Sequence, residues 1–187
     1  LHGPRLGIMT SNCEDLCKSI NGPLKRAMGD RKFQWGSLQI NVNSVSSEHC
    51  DSNNVGPSMI TLLGNFKGGR FQMSNKSASL SASECGTCMV IDGGIPHSSD
   101  PFTGFRVSIV AFLHSATMAL PSKDLEYLRS LGFGIPDLEP DSEAEPLGDP
   151  AVPAQVVTNP QAYQPETEPE GDIDPGDPGA TVVEFCC

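Results

Sequence analysis

His49-Cys50-Asp51, then His97 closing the run Met89-Val90-Ile91-Asp92-Gly93-Gly94-Ile95-Pro96-His97, then Arg106-Val107-Ser108 opening the run 106–113, are the stretches whose order decides how this chain reads. His49 and Asp51 are one residue apart, so on an extended segment both side chains leave from the same face and one metal ion can take both. A third ligand has to come from elsewhere, and His97 ends an apolar, strand-like run broken by a Gly pair and a Pro. Arg106 follows nine residues later, past Ser98-Ser99-Asp100-Pro101-Phe102-Thr103-Gly104. Asp-Pro and Gly mark a hairpin-like connection. It predicts that Arg106 returns beside His97 and that Arg106 and Ser108 share a face.

Two imidazoles and one carboxylate on one face of an Fe(II) ion leave three coordination positions open, the facial triad of non-haem oxygenases. An Arg beside such a site holds a dicarboxylate through a bidentate, charge-assisted pair, and a Ser hydroxyl two residues on adds a hydrogen bond. Taken singly, each part is ordinary. A His-x-Asp arises often by chance, a His at a strand end is usually structural, and an Arg at the start of a strand is usually on the surface. The weight lies in all four in this order, with a strand, a Gly-rich turn and another strand between them.

With Asn53-Asn54-Val55-Gly56-Pro57-Ser58 after the first motif, Leu63-Gly64-Asn65-Phe66-Lys67-Gly68-Gly69-Arg70-Phe71 in the middle, and Asp92-Gly93-Gly94-Ile95-Pro96-His97 before the Arg, the chain over roughly 33–114 resembles the Fe(II)/2-oxoglutarate-dependent dioxygenases. The spacing from His97 to Arg106 is similar to that of prolyl-hydroxylase-like members, and the Asn-rich context of the His-x-Asp looks like TET/JBP-like nucleobase oxygenases. Substrate class therefore stays open between a nucleobase and a protein side chain.

The resemblance implies a mainly β fold with flanking helices around a double-stranded β-helix (jelly-roll, cupin-like) core. It implies His49, Asp51 and His97 as ligands of Fe(II), Arg106 as the anchor of the distal carboxylate of 2-oxoglutarate, and Ser108 as its assistant. It further implies O2 as co-substrate, ascorbate as a supporting reductant, and decarboxylation of 2-oxoglutarate to succinate coupled to oxidation of the substrate. Gln39, ten residues before His49 on an expected strand, can reach the co-substrate, and Asn41, Asn43 and Asn54 are candidates to hydrogen-bond the ligands or 2-oxoglutarate. The competing reading is a catalytically inactive or truncated β-helix that serves as a binding module, for which a broken triad would be the mark; here the triad is intact.

Composition divides the chain. Residues 134–187 hold 13 Asp and Glu, no Lys or Arg, and 10 of the 16 prolines, whereas residues 1–133 hold 10 acids and 12 bases. The overall charge of −11 thus belongs to an acidic, Pro-rich segment too poor in apolar residues to fold, expected as a disordered tail that either solvates the chain or engages a protein partner. The expected organisation is an N-terminal helical segment over 1–32, the β-helix core with a C-terminal helix over 33–133, and the tail over 134–187. A capped helix is expected after Ser11-Asn12, ended by Asn21-Gly22-Pro23, with a second from Leu24 to Met28. Strands are expected at 37–43, 58–63, 69–73, 88–91 and 105–113, with 65–69 as a tight turn. A helix over 122–132 takes Ser122 as N-cap and Gly132 as stop, on the outside of the sheet. The missing initiator Met and the low strand count lead to the expectation of a fragment.

The seven cysteines form no persuasive disulfide framework. Cys85-Gly86-Thr87-Cys88 has no second pair at zinc-finger spacing, and it reads as a strand-edge loop. Reduced thiols and the absence of a signal-peptide pattern or a membrane-length apolar run fit an intracellular protein, cytoplasmic or nuclear. Cys186-Cys187 resembles a double-cysteine prenylation signal, without the usual polybasic support. For a nucleic-acid substrate, Arg26, Arg31, Lys32, Lys67 and Arg70 are the candidates to line a groove edge, and Phe33 and Trp35 to stack a flipped base; buried packing is the plainer role for the two aromatics.

Overall fold

Met59-Ile60-Thr61-Leu62 and Cys88-Met89-Val90-Ile91 carry almost no polar alternation, the pattern of strands buried on both faces. The computed structural model describes residues 6–29, 31–136, 155–157 and 181–185. In chain order these form α1 (Ile8–Asn12), α2 (Glu14–Met28), β1 (Ser37–Val42), β2 (Ser58–Gly68), β3 (Phe71–Met73), β4 (Ser79–Leu80), β5 (Cys88–Ile91), β6 (His97–Ser99), β7 (Phe102–Phe112), α3 (Ser122–Ser130), β8 (Gln155–Val157) and β9 (Thr181–Phe185). A six-stranded sheet has the order β8-β5-β2-β7-β1-β9 and a three-stranded sheet the order β4-β3-β6. All pairings are antiparallel. The protein is mainly antiparallel β with few helices.

Period-two alternation sends the large sheet's side chains into two cores. Leu38, Met59, Val90, Ile109 and Ala111 pack against Cys17, Leu24 and Met28 of α2 and Leu125 and Leu128 of α3. Ile60, Leu62, Met89 and Ile91 face the other way, onto Phe71 and Met73 of β3 and Leu80 of β4. On β7 the odd residues 107, 109 and 111 belong to the helix side, while Arg106, Ser108, Val110 and Phe112 line a cavity on the opposite side. Gln39 and Asn41 of β1 line the same cavity. One-residue alternation on two neighbouring strands thus collects the polar candidates on one wall.

Several local expectations are corrected. Asn21-Gly22-Pro23 does not end the first helix; α2 runs on to Met28 with Pro23 inside it. The reason is tertiary: Cys17, Asn21, Leu24 and Met28, at helical spacing, are all buried. Pro23 and Ser19 are exposed, so the carbonyl that Pro23 leaves without a donor lies where water can reach it. Ser11 and Asn12 lie within α1 rather than capping the next helix, and Ser122 is the first residue of α3 after Pro121, with no side-chain cap. Gly132 does follow the helix end with φ +87. The expected turn at 65–69 is mostly strand, because β2 pairs with β7 as far as Gly68, opposite Phe102; the chain turns only at Gly68 and Gly69, with φ +80 and +62.

Asn21 shows how the helix layer is held. Fully buried, it donates to the carbonyl of Leu131 at 2.9 Å and accepts from Trp35 Nε1 at 2.8 Å. Asn21→Leu keeps the volume but leaves a buried N–H and a buried C=O unpaired, each costing about 1–3 kcal/mol. The expected result is a loss of roughly 2–4 kcal/mol in urea unfolding; unchanged stability would show that neither bond matters.

Two parts of the segment expected to stay unfolded join the sheet instead. Gln155–Val157 pairs with β5, and Thr181–Phe185 pairs with β1 from Leu38↔Phe185 to Val42↔Thr181. Val156-Val157 and Val182-Val183 are β-branched pairs inside an acidic, Pro-rich background, and an edge strand needs only one partner. The rest of 137–187, with Cys186-Cys187, lies outside the described residues. Nine strands form among the described residues, where the sequence alone suggests five. No helix among them is long and apolar enough to cross a membrane.

Candidate metal centre

The segment between β1 and β2 lies against the turn before β6. His49 N–H donates to the His97 carbonyl at 3.0 Å and His97 N–H returns to His49 at 2.9 Å, while Asp51 N–H donates to Gly93 at 2.8 Å. This single antiparallel bridge brings the two imidazoles together, with ring centres 4.4 Å apart. Asp51 reaches both: its carboxylate oxygens lie 3.8 Å from His49 Nε2 and 3.9 Å from His97 Nε2. One donor atom from each of the three residues lies within 4.8 Å of the others, a grouping that could hold one metal ion.

Both rings are held from behind. His49 Nδ1 is 2.8 Å from the Ser47 carbonyl and His97 Nδ1 is 2.9 Å from the Ile95 carbonyl. A carbonyl only accepts, so each Nδ1 carries the proton and each Nε2 presents its lone pair to the shared space. Asn54 donates to Asp51 Oδ2 at 3.1 Å and to Ser58 at 3.0 Å, orienting the carboxylate. Gly93 packs close to the carboxylate, since a Cβ would stand 3.0 Å from Asp51 Oδ2 and push it aside. His97 is buried, with its ring 5.4 Å from that of Phe71, whereas the His49 side chain is 46% exposed. The cluster is closed on one side and open on the other.

It sits at a cavity of about 610 Å³ lined from both sheets. Arg106 lies on its wall with 3% exposure and no carboxylate partner among the described residues. Its Nη1 donates to the Ser44 carbonyl at 2.9 Å, and its Nε is buried without a partner. The guanidinium carbon is 5.9 Å from the Phe66 ring centre and 5.5 Å from that of Phe102. Burial lowers the Arg106 pKa from the usual guanidinium value, as desolvation of a cation does. Gly69, with φ +62, approaches so closely that a Cβ would be 3.1 Å from Arg106 Cδ. Asn43, itself at φ +50, accepts from the Arg106 backbone N–H at 3.0 Å, so it holds the strand that carries Arg106.

Gln39, Asn41, Asn54, Arg106 and Ser108 therefore all reach the cavity that borders His49, Asp51 and His97. The hairpin expected between His97 and Arg106 is absent: β6 belongs to the small sheet and β7 to the large one, so Asp100-Pro101 carries the chain between sheets. The two residues meet at the cavity and not as cross-strand neighbours. His114, not singled out from the sequence, also lines the cavity, and its Nδ1 accepts from Ala116 N–H at 3.0 Å. The signal for it was the alternation 106, 108, 110, 112 carried one step past the strand.

Other candidates fall elsewhere. Phe33 and Trp35 are buried, stacked at 5.5 Å, and Trp35 is tied to Asn21, so neither can stack an incoming base. Arg70 pairs with Asp100 at 3.7 Å, and none of Arg26, Arg31, Lys32, Lys67 or Arg70 lines the cavity. Cys85 and Cys88 join no second metal cluster among the described residues, and burial raises both thiol pKa values, which lowers their reactivity.

Compared by sequence, the chain matches no protein-family model and no curated protein. Compared by structure, it is similar to NgTET1 in complex with 5mC DNA, with a TM-score of 0.50 and 15% sequence identity over 66% of this chain and 62% of that chain. The likeness is one of fold, and it spans only part of that protein.

Proposed function

We propose that the chain is an Fe(II)- and 2-oxoglutarate-dependent dioxygenase on a double-stranded β-helix, oxidising a nucleobase or a protein side chain. One observation carries this reading: a His-Asp-His cluster with both Nε2 lone pairs directed inward opens onto a cavity whose wall holds a buried guanidinium with no counter-ion among the described residues. The donor set suits Fe(II), and a buried unpaired cation is costly unless an anion completes it. A keto acid with a distant carboxylate fits both needs.

His49, Asp51 and His97 hold the metal, while the carbonyls of Ser47 and Ile95 keep the imidazoles in the ligating tautomer. Arg106 binds the distal carboxylate through the Nη not engaged with Ser44, with Ser108 beside it. Asn54 steadies Asp51, and Gln39 and Asn41 border the co-substrate. When bound, Fe(II), 2-oxoglutarate and O2 supply the oxidising power, one oxygen atom leaving in succinate and the other in the product, with CO2 released. Ile60, Phe71 and Ile91 give the cavity an apolar wall beside the metal ligands.

A nucleobase stands first among substrates. The fold likeness to a protein solved with 5mC DNA supports it, as does the imidazole of His114 on the cavity wall, which suits the edge of a planar base. A protein side chain is the second class, since Arg106 is the one Lys or Arg among the described residues that line the cavity. Incubation with methylated DNA, RNA and proline peptides, followed by mass spectrometry, tests the assignment. A gain of one oxygen on the nucleic acid alone is expected; a gain on peptide alone reverses the order of the two classes.

A further inference from the structure

We infer that Asn41 is a positioning residue that, held by Gln39, turns the Ser108 hydroxyl so that its proton points at the distal carboxylate of the bound keto acid. The inference rests on the co-substrate site proposed above. Asn41 on β1 lies directly opposite Ser108 on β7 in the sheet register, so both side chains project from the same face. Asn41 Nδ2 donates to Ser108 Oγ at 3.1 Å, and Asn41 Oδ1 accepts from Gln39 Nε2 at 2.9 Å. All three residues line the cavity.

The structure gives this chain its polarity: Gln39 turns its Nε2 to Asn41, so the Asn41 oxygen faces Gln39 and its N–H faces Ser108. A hydroxyl has one proton and two lone pairs. Accepting from Asn41 uses a lone pair, so the Ser108 proton remains to be given, and Ser108, 5% exposed, donates to no protein acceptor among the described residues. Arg106, two residues earlier on the same face, lines the cavity with one Nη that donates to no acceptor among the described residues. Two donors thus converge from one strand, one charged and one neutral, and the neutral one is aimed through Asn41.

Asn41→Asp separates this from a merely structural role. A carboxylate of the same size can only accept, so it takes the Ser108 proton and turns a lone pair toward the ligand. Gln39→Glu acts one link back: Asn41 reverses to donate to the carboxylate introduced there, and its oxygen takes the Ser108 proton. Calorimetric titration of 2-oxoglutarate into the Mn(II)-loaded chain without oxygen reads the effect directly. Asn41→Asp and Gln39→Glu are each expected to weaken 2-oxoglutarate binding by roughly 10- to 100-fold, with Mn(II) affinity and the unfolding midpoint near those of the parent chain. In a Ser108→Ala background the Asp substitution should add less than about threefold, because the coupled partner is gone. Parent-like binding by Asn41→Asp overturns the inference, and so does a loss undiminished in the Ser108→Ala background, which would mark simple charge repulsion. A parent chain that binds Mn(II) but no 2-oxoglutarate overturns the co-substrate reading itself.

Discussion

His97→Ala is expected to abolish metal binding while leaving the chain folded. His97 supplies the buried member of the triad, and its backbone bridge to His49 does not need the imidazole. Groups behind metal ligands typically contribute 10- to 100-fold in metal affinity, so removal of a ligand should cost roughly a thousandfold or more. Calorimetric titration with Mn(II) or anaerobic Fe(II) reads the affinity, and circular dichroism reads the fold. Retained tight binding in a folded variant would show that these three residues are not the ligand set. Metal affinity should also fall as pH is lowered, because each Nε2 must be unprotonated to ligate.

Arg106→Met should separate co-substrate binding from stability, with opposite signs. Removing one partner of a desolvated charge pair costs about 2–5 kcal/mol, so 2-oxoglutarate affinity should fall by roughly 30- to several thousandfold. The folded protein should not weaken in step. Replacing a buried, unpaired guanidinium by an apolar side chain of similar length removes a desolvation penalty, and Met can pack on the Phe66 and Phe102 rings that Arg106 now covers. Unfolding in urea without ligand should show stability equal to or above that of the parent. A large loss of stability with unchanged 2-oxoglutarate affinity would assign Arg106 to structure instead.

The site was more legible in the sequence than its scaffold. His49, Asp51, His97, Arg106 and Ser108 are marked by residue type and order, and the structure brings them to one cavity. Metal ligation and carboxylate binding admit few side-chain types, so residue identity alone marks candidates for such a site. Connectivity is not so marked. Asp100-Pro101 reads equally as a hairpin turn or a crossing between sheets, and only the partners of His97–Ser99 in β3 decide it. Pro23 reads as a helix stop because local propensity says so, while the buried stripe of Cys17, Asn21, Leu24 and Met28 overrides it. The strands at 155–157 and 181–185 were hidden by acidic, Pro-rich surroundings, since composition averages away a short β-branched run.

Succinate released from 2-oxoglutarate in air by the purified chain, with added Fe(II) and ascorbate and beside the His49→Ala variant, distinguishes a dioxygenase from a binding module. Succinate is expected from the parent chain, none when Fe(II) is withheld, and none from His49→Ala. No succinate from any of them, together with no heat of binding for Fe(II) or 2-oxoglutarate, would contradict the dioxygenase reading and leave the cavity as part of a non-catalytic binding module.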